Sequence, residues 1–71
     1  MTSKKQINRI RLVLDEKEKT NKWLSEKVDK NRAVISRWCT NVMQPSLEML
    51  VEIAEILDVD IRELLVPTKN D

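Results

Sequence analysis

The hydrophobic pattern opens with Ile7, Ile10, Val13 and Leu14 at helical spacing, with Arg9 and Lys17 among the residues outside it. It predicts a first helix that ends in the charged run Glu16-Lys17-Glu18-Lys19. Thr20 stands where a helix N-cap belongs, ahead of Leu24 and Val28, which lie four apart and face the core of a second helix. A third helix is capped by Asn31 and buries Ile35 and Trp38, with Val34 partly covered. Residues 40–44 read as a loop. Pro45-Ser46 then opens a fourth helix, with Ser46 as cap and Glu48 in the positive field of its N-terminus. The apolar face of this helix reads as Leu47, Leu50, Ile53, Ala54 and Leu57. A last helix starts at Asp60-Ile61-Arg62-Glu63, which fits a capping box, and runs through Leu64 and Leu65 until Pro67 stops it. The pattern contains five helices and no strand, repeat or linker, which makes one all-α domain.

Trp23 to Trp38 carries the functional signal. It reads as two short helices separated by a three- to four-residue turn, the helix-turn-helix arrangement in which the second helix enters the major groove of DNA. With Ile35 and Trp38 inward, Arg32, Ala33, Ser36 and Arg37 lie on the outer surface of that second helix. Arginine suits guanine because its planar fork donates to both acceptors on the major-groove edge.

Composition narrows the alternatives. The chain has 71 residues, no His and one Cys, Cys39, so the usual zinc sets, general-base arrangements and an internal disulfide cannot be assembled; no metal, cofactor or small-molecule substrate is expected, and no enzyme. No apolar run is long enough to span a membrane and the N-terminus is polar without a signal peptide, so the expected compartment is the cytoplasm. Trp23 and Trp38 are the only aromatic residues, which leaves a thin aliphatic core that a second copy would help to stabilise. The net charge of +1 conceals a division: residues 1–38 carry eleven Lys or Arg against five acids, +6, and residues 39–71 carry two against seven, −5. A basic half beside an acidic half suits a protein with one side facing a polyanion.

This layout resembles the Cro/repressor-like (XRE-type) helix-turn-helix family of bacterial and phage regulators. Two segments carry the resemblance: Leu24-Ser25-Glu26-Lys27-Val28 through Ile35-Ser36-Arg37-Trp38, and Gln44-Pro45-Ser46-Leu47-Glu48-Met49-Leu50 through Ile53-Ala54-Glu55-Ile56-Leu57-Asp58-Val59. It implies a five-helix, lambda-repressor-like DNA-binding domain over residues 7–66, with a flexible arm at 1–6 and a tail at 67–71. Members commonly place Gly in the turn between helices two and three, after the recognition helix and after helix four. This chain has no Gly and holds Asp29, Asn41 and Asp58 there, the residue types that best tolerate a left-handed backbone. Lys30 stands where an aliphatic residue is common, Ser25 where Ala is common, and Asn21 where Gln often touches the DNA backbone. Carried over by position, the base readers are Arg32, Ala33 and Arg37, and Ala33 suits a thymine methyl. Asn21, Lys22, Lys30, Asn31 and Ser36 fall to the phosphates, contacts that position without specifying.

Three features stay open at this level. Trp23 either folds back over the first helix to cover the core or offers its indole N–H and ring to a phosphate or partner. Cys39 is either an inert small apolar group or a redox sensor, and neither flanking residue is a cation that would lower its pKa. Val51, Ile56, Ile61, Leu65 and Val66 exceed what the inner faces of the last two helices need, which marks them as candidates for a homodimer interface. The expected function is a transcriptional regulator, a repressor, that binds a palindromic operator on double-stranded DNA as a homodimer and occludes or repositions polymerase. The alternative is a protein-interaction module, such as an antitoxin or adaptor, that uses the same frame to bind a partner protein.

Overall fold

A computed structural model describes residues 6–69. Lys4 and Lys5, candidates for an arm reaching the duplex, lie outside the described residues, as does the end of the expected tail at 70–71. The chain forms α1 (Ile10–Glu16), α2 (Asn21–Val28), α3 (Arg32–Cys39) and α4 (Leu47–Leu57), followed by a 3₁₀ turn at Ile61–Leu64.

Three helix starts follow from single side chains. Thr20 Oγ1 accepts from the Trp23 N–H at 3.1 Å, Asn31 Oδ1 from Ala33 at 2.7 Å, and Ser46 Oγ from Met49 at 3.0 Å. Each satisfies one of the donors that a helix N-terminus leaves without a partner.

All four helices stop in the same way. Asp29, Asn41 and Asp58, the residues standing in for Gly, have φ of 57°, 63° and 60°, and Glu18 joins them at 59°. The residue after each turns its N–H back onto the helix: Lys19 to Leu14 O, Lys30 to Ser25 O, Val42 to Arg37 O and Val59 to Ala54 O, all between 2.8 and 3.0 Å. This is the Schellman closure, and it needs a left-handed residue. Glu18 is the one position where that residue is neither Asn nor Asp. A left-handed side chain of this kind costs about 1–2 kcal/mol, and glycine returns roughly 0.5–1 kcal/mol of that through unfolded-chain entropy. Glu18→Gly is therefore expected to raise stability by about 0.5–1 kcal/mol in urea unfolding, with an unchanged m-value.

Ile10, Leu14, Leu24, Ile35, Ile53 and Leu64 are wholly buried and join all four helices to the 3₁₀ turn in one core. Trp38 belongs to it, at 5% exposure. Burying such side chains is the main favourable contribution to so small a fold.

The structure corrects four sequence-based expectations. Ile7 lies before α1 and is exposed, because Asn8 turns the chain there: its Oδ1 accepts from the Ile10 N–H at 3.0 Å. Leu47 is 74% exposed rather than part of the inner face. It is the first residue of α4 and lies roughly 70° from the centre of the buried stripe Leu50, Ile53, Ala54 and Leu57. The fifth helix is a single 3₁₀ turn. No capping box forms, since the Asp60 carboxylate accepts from the Arg62 N–H at 2.8 Å and pairs with its guanidinium at 3.2 Å. That exposed pair, the carboxyl held below its usual range by Arg62, braces only its own turn.

The turn ends because its next residues bond elsewhere. Leu65 is extended and bridges Asn8 in antiparallel fashion, Arg9 N–H donates to Leu64 O, and Val66 N–H donates to Ile7 O, both at 2.9 Å. The segment before α1 and the segment after the 3₁₀ turn thus pair with each other, and helix propensity at Leu65 yields to this tertiary contact.

Candidate nucleic-acid interface

The turn between α2 and α3 is Asp29, Lys30 and Asn31. Asp29 closes α2, Asn31 caps α3, and Lys30 is exposed between them, its N–H bonded to Ser25 O. Lys30 therefore needs no apolar pocket under the turn. Ser25 is buried and its hydroxyl returns to Lys22 O at 2.8 Å, so its small size lets α2 sit close to its neighbours. The helices α2 and α3 pack against each other more extensively than any other pair.

Along α3, Ile35, Trp38 and Cys39 are buried and Val34 is half-buried, while Arg32, Ala33, Ser36 and Arg37 are exposed. At 3.6 residues per turn these four cover an arc of roughly 140°, with Arg32 beside Ser36 and Ala33 beside Arg37 on successive turns. Two guanidinium groups, a methyl and a hydroxyl thus share one face, the set expected of a surface that reads base edges.

The expected phosphate residues surround this face unevenly. Lys22 and Lys30 are exposed. Asn31 is exposed too, but its Oδ1 is committed to the cap, which leaves the NH₂ group to donate outward. Asn21 opens α2, half-buried, with Oδ1 accepting from Cys39 Sγ at 3.5 Å. Ser36 lends its carbonyl to the Thr40 hydroxyl at 3.0 Å and keeps its own side chain exposed.

Trp23 is placed as the first reading has it, as a partial cover over the core. It is half-buried against the core, and its ring carries Lys19 Nζ at 4.8 Å and Lys27 Nζ at 5.6 Å from the centroid. Two lysines held over an indole cover its apolar face and fix their own charges. Cys39 has a cation nearby that its sequence neighbours did not reveal: the Arg11 guanidinium, from α1, which pulls the thiol pKa down. Burial outweighs it and pushes the thiol pKa up, so Cys39 behaves as a buried apolar group.

Of the dimer candidates, Val51 is 46% exposed, whereas Ile56, Ile61 and Leu65 are half-buried against the core and Val66 is half-buried. Leu47 was not among them, yet it stands four residues from Val51 on the same outer face of α4.

Sequence reasoning missed the polar group behind α3. Asn8 is 1% exposed and its Nδ2 donates to Trp38 O at 2.9 Å and to Gln44 Oε1 at 2.7 Å. Asn41 Oδ1 accepts from the N–H groups of Ile7 and Asn8, and Asn41 Nδ2 donates to Asn8 O at 3.1 Å. Gln44 Nε2 reaches Asn41 Oδ1 at 3.2 Å. No pattern of polar residues in a lone sequence would distinguish this cluster from surface amides; the one available signal was Asn41 at a left-handed position.

A helix-turn-helix family model matches residues 3–64. The chain belongs to the helix-turn-helix family, XRE type. Domains of this family bind DNA. Among solved structures, the chain is similar to a candidate DNA-binding protein from Bacteroides fragilis, with 55% identity and a TM-score of 0.83 over 84% of this chain and 97% of the other. No curated protein matches the chain. Family membership accounts for the three-residue turn and the capped recognition helix, and the left-handed Asp29, Asn41 and Asp58 keep the family's backbone without its glycines. Among the described residues no helix is long and apolar enough to cross a membrane.

Proposed function

We propose that this helix-turn-helix protein is a sequence-specific transcriptional repressor that binds a palindromic operator as a homodimer, with α3 in the major groove. The observation that carries the reading is the outer face of α3, where Arg32, Ala33, Ser36 and Arg37 are exposed while Ile35 and Trp38 anchor the helix from behind. Arg32, Ala33 and Arg37 read bases; Asn21, Lys22, Lys30, Asn31 and Ser36 hold phosphates. A twofold pair would use Val51 with the half-buried Ile56, Ile61, Leu65 and Val66, and would set two recognition helices about one DNA turn (~34 Å) apart. The similarity to a candidate DNA-binding protein supports the same reading.

Selection from a random duplex library at near-physiological salt tests it. The expected result is an enriched inverted repeat with half-site centres about 10 base pairs apart. Enrichment of nothing beyond weak binding erased by salt would overturn it. A second reading, docking of a partner protein, is favoured by Leu47 and Val51 on the outer face of α4 beside Glu48, Glu52 and Glu55. An apolar contact there would bind with little salt dependence, which separates the two readings.

A further inference from the structure

The last turn of a helix leaves carbonyls without partners, and how they are satisfied decides how firmly that end is held. In α3 the carbonyls of Ser36, Arg37 and Trp38 are all used. Ser36 O accepts from the Thr40 N–H and hydroxyl, Arg37 O from the Val42 and Met43 N–H groups at 3.0 and 3.2 Å, and Trp38 O from the Asn41 N–H at 3.1 Å. Trp38 O also takes the only one of these bonds that comes from far away, the Asn8 side-chain amide thirty residues earlier in the chain. Asn8 is in turn fixed by Asn41 and Gln44, and every buried side-chain polar atom among the described residues has a partner.

We propose that Asn8, Asn41 and Gln44 form a brace that sets the pose of the C-terminal half of α3, and so act as positioning residues for base readout by Arg37. The inference rests on the operator-reading function. The turn grips the carbonyl of Arg37 itself and the brace grips that of Trp38, the next residue. Arg32 lies a full turn away, at the end held by the Asn31 cap. The two arginines are thus aligned by separate devices: a local cap for Arg32, and for Arg37 a network anchored in the segment before α1. A guanidinium that must meet two acceptors at once loses discrimination when its backbone shifts by a fraction of an ångström, because bidentate geometry has little tolerance. Buried amide networks hold such a pose well, since each broken bond leaves a polar group without water.

Gln44 is the member to test, because its side chain is exposed and its loss spares the core. Gln44→Met keeps the length and removes both the acceptor for Asn8 Nδ2 and the donor to Asn41 Oδ1. Base preferences are read from the full-length protein by library selection for the wild type, Gln44→Met, Arg37→Ala and the double variant. Ile53→Val, a core change in α4, serves as a control for lost stability. The brace predicts that Gln44→Met weakens preference about fivefold to tenfold at the base pair affected by Arg37→Ala, and leaves the Arg32 position unchanged. In the double variant, Gln44→Met adds nothing to Arg37→Ala at that base pair, and Ile53→Val alters neither position. An unaltered Gln44→Met profile overturns the brace, as does a uniform loss matching that of Ile53→Val. If the wild type selects no sequence at all, the operator reading falls and this inference with it, an outcome distinct from a selective wild type whose Gln44→Met variant is unchanged.

Discussion

Trp38→Ala is expected to lower the melting temperature by about 12 °C or more, and to leave a substantial unfolded fraction at 37 °C. The indole is 5% exposed and lies in the core cluster with Ile35, Leu24 and Ile53. Removing a buried aromatic side chain costs about 3–5 kcal/mol, from lost transfer energy and the cavity left behind. A domain of this size holds only about 4–10 kcal/mol in total, and each kcal/mol moves the midpoint by roughly 4–8 °C. Thermal unfolding followed by circular dichroism measures the change directly. A shift of only a few degrees would mean that the core closes around the missing ring, at odds with the burial seen here. DNA selectivity should fall as well as stability, since Trp38 anchors α3 from behind.

Arg37→Ala has the opposite profile: the fold survives and selectivity is lost. Arg37 is exposed, so truncating it should change stability by less than about 0.5 kcal/mol. Its removal from a bidentate guanine contact should cost about 1–3 kcal/mol, roughly 5- to 150-fold in affinity for the selected site. The loss should fall on one base pair of each half-site, with affinity for unrelated duplex much less affected. Lys22→Ala makes the contrast: it should weaken binding to all duplexes alike and reduce the salt slope by about one. Fluorescence anisotropy titrations across a salt series distinguish these outcomes. If Arg37→Ala weakened all sequences equally, Arg37 would be a phosphate contact and the assignment of base readers along α3 would need to be redrawn.

What could be read from the sequence was whatever depends on neighbours in the chain. The caps Thr20, Asn31 and Ser46 act within three residues, and the left-handed Asp29, Asn41 and Asp58 are legible because few residue types suit that backbone. Ile35 and Trp38 define the inner face of α3 and therefore its outer one, so the exposed placement of Arg32, Ala33 and Arg37 follows from periodicity alone. Glu18 escaped because glutamate carries no left-handed signal; the closure onto Leu14 O imposes it. Leu47 escaped because hydrophobicity marks a position as apolar without saying whether anything covers it. The last helix was overread since the partners of Leu64 and Val66 lie at Arg9 and Ile7, almost the whole domain away. Asn8 was invisible for the same reason: its partners, Trp38, Asn41 and Gln44, are thirty or more residues distant.

The pairing of Asn8 with Leu65 also bears on the order in which the molecule assembles. Contacts between α2 and α3 close short stretches of chain, whereas this bridge must close nearly the entire domain, and the entropy of bringing ends together grows with the length between them. Topology therefore places the bridge late in folding, after the helices have docked. The side-chain amide that bonds Trp38 O belongs to Asn8 itself, so one residue joins the two ends of the domain and also holds the end of α3. Fraying at either end is therefore expected to loosen the C-terminal end of α3.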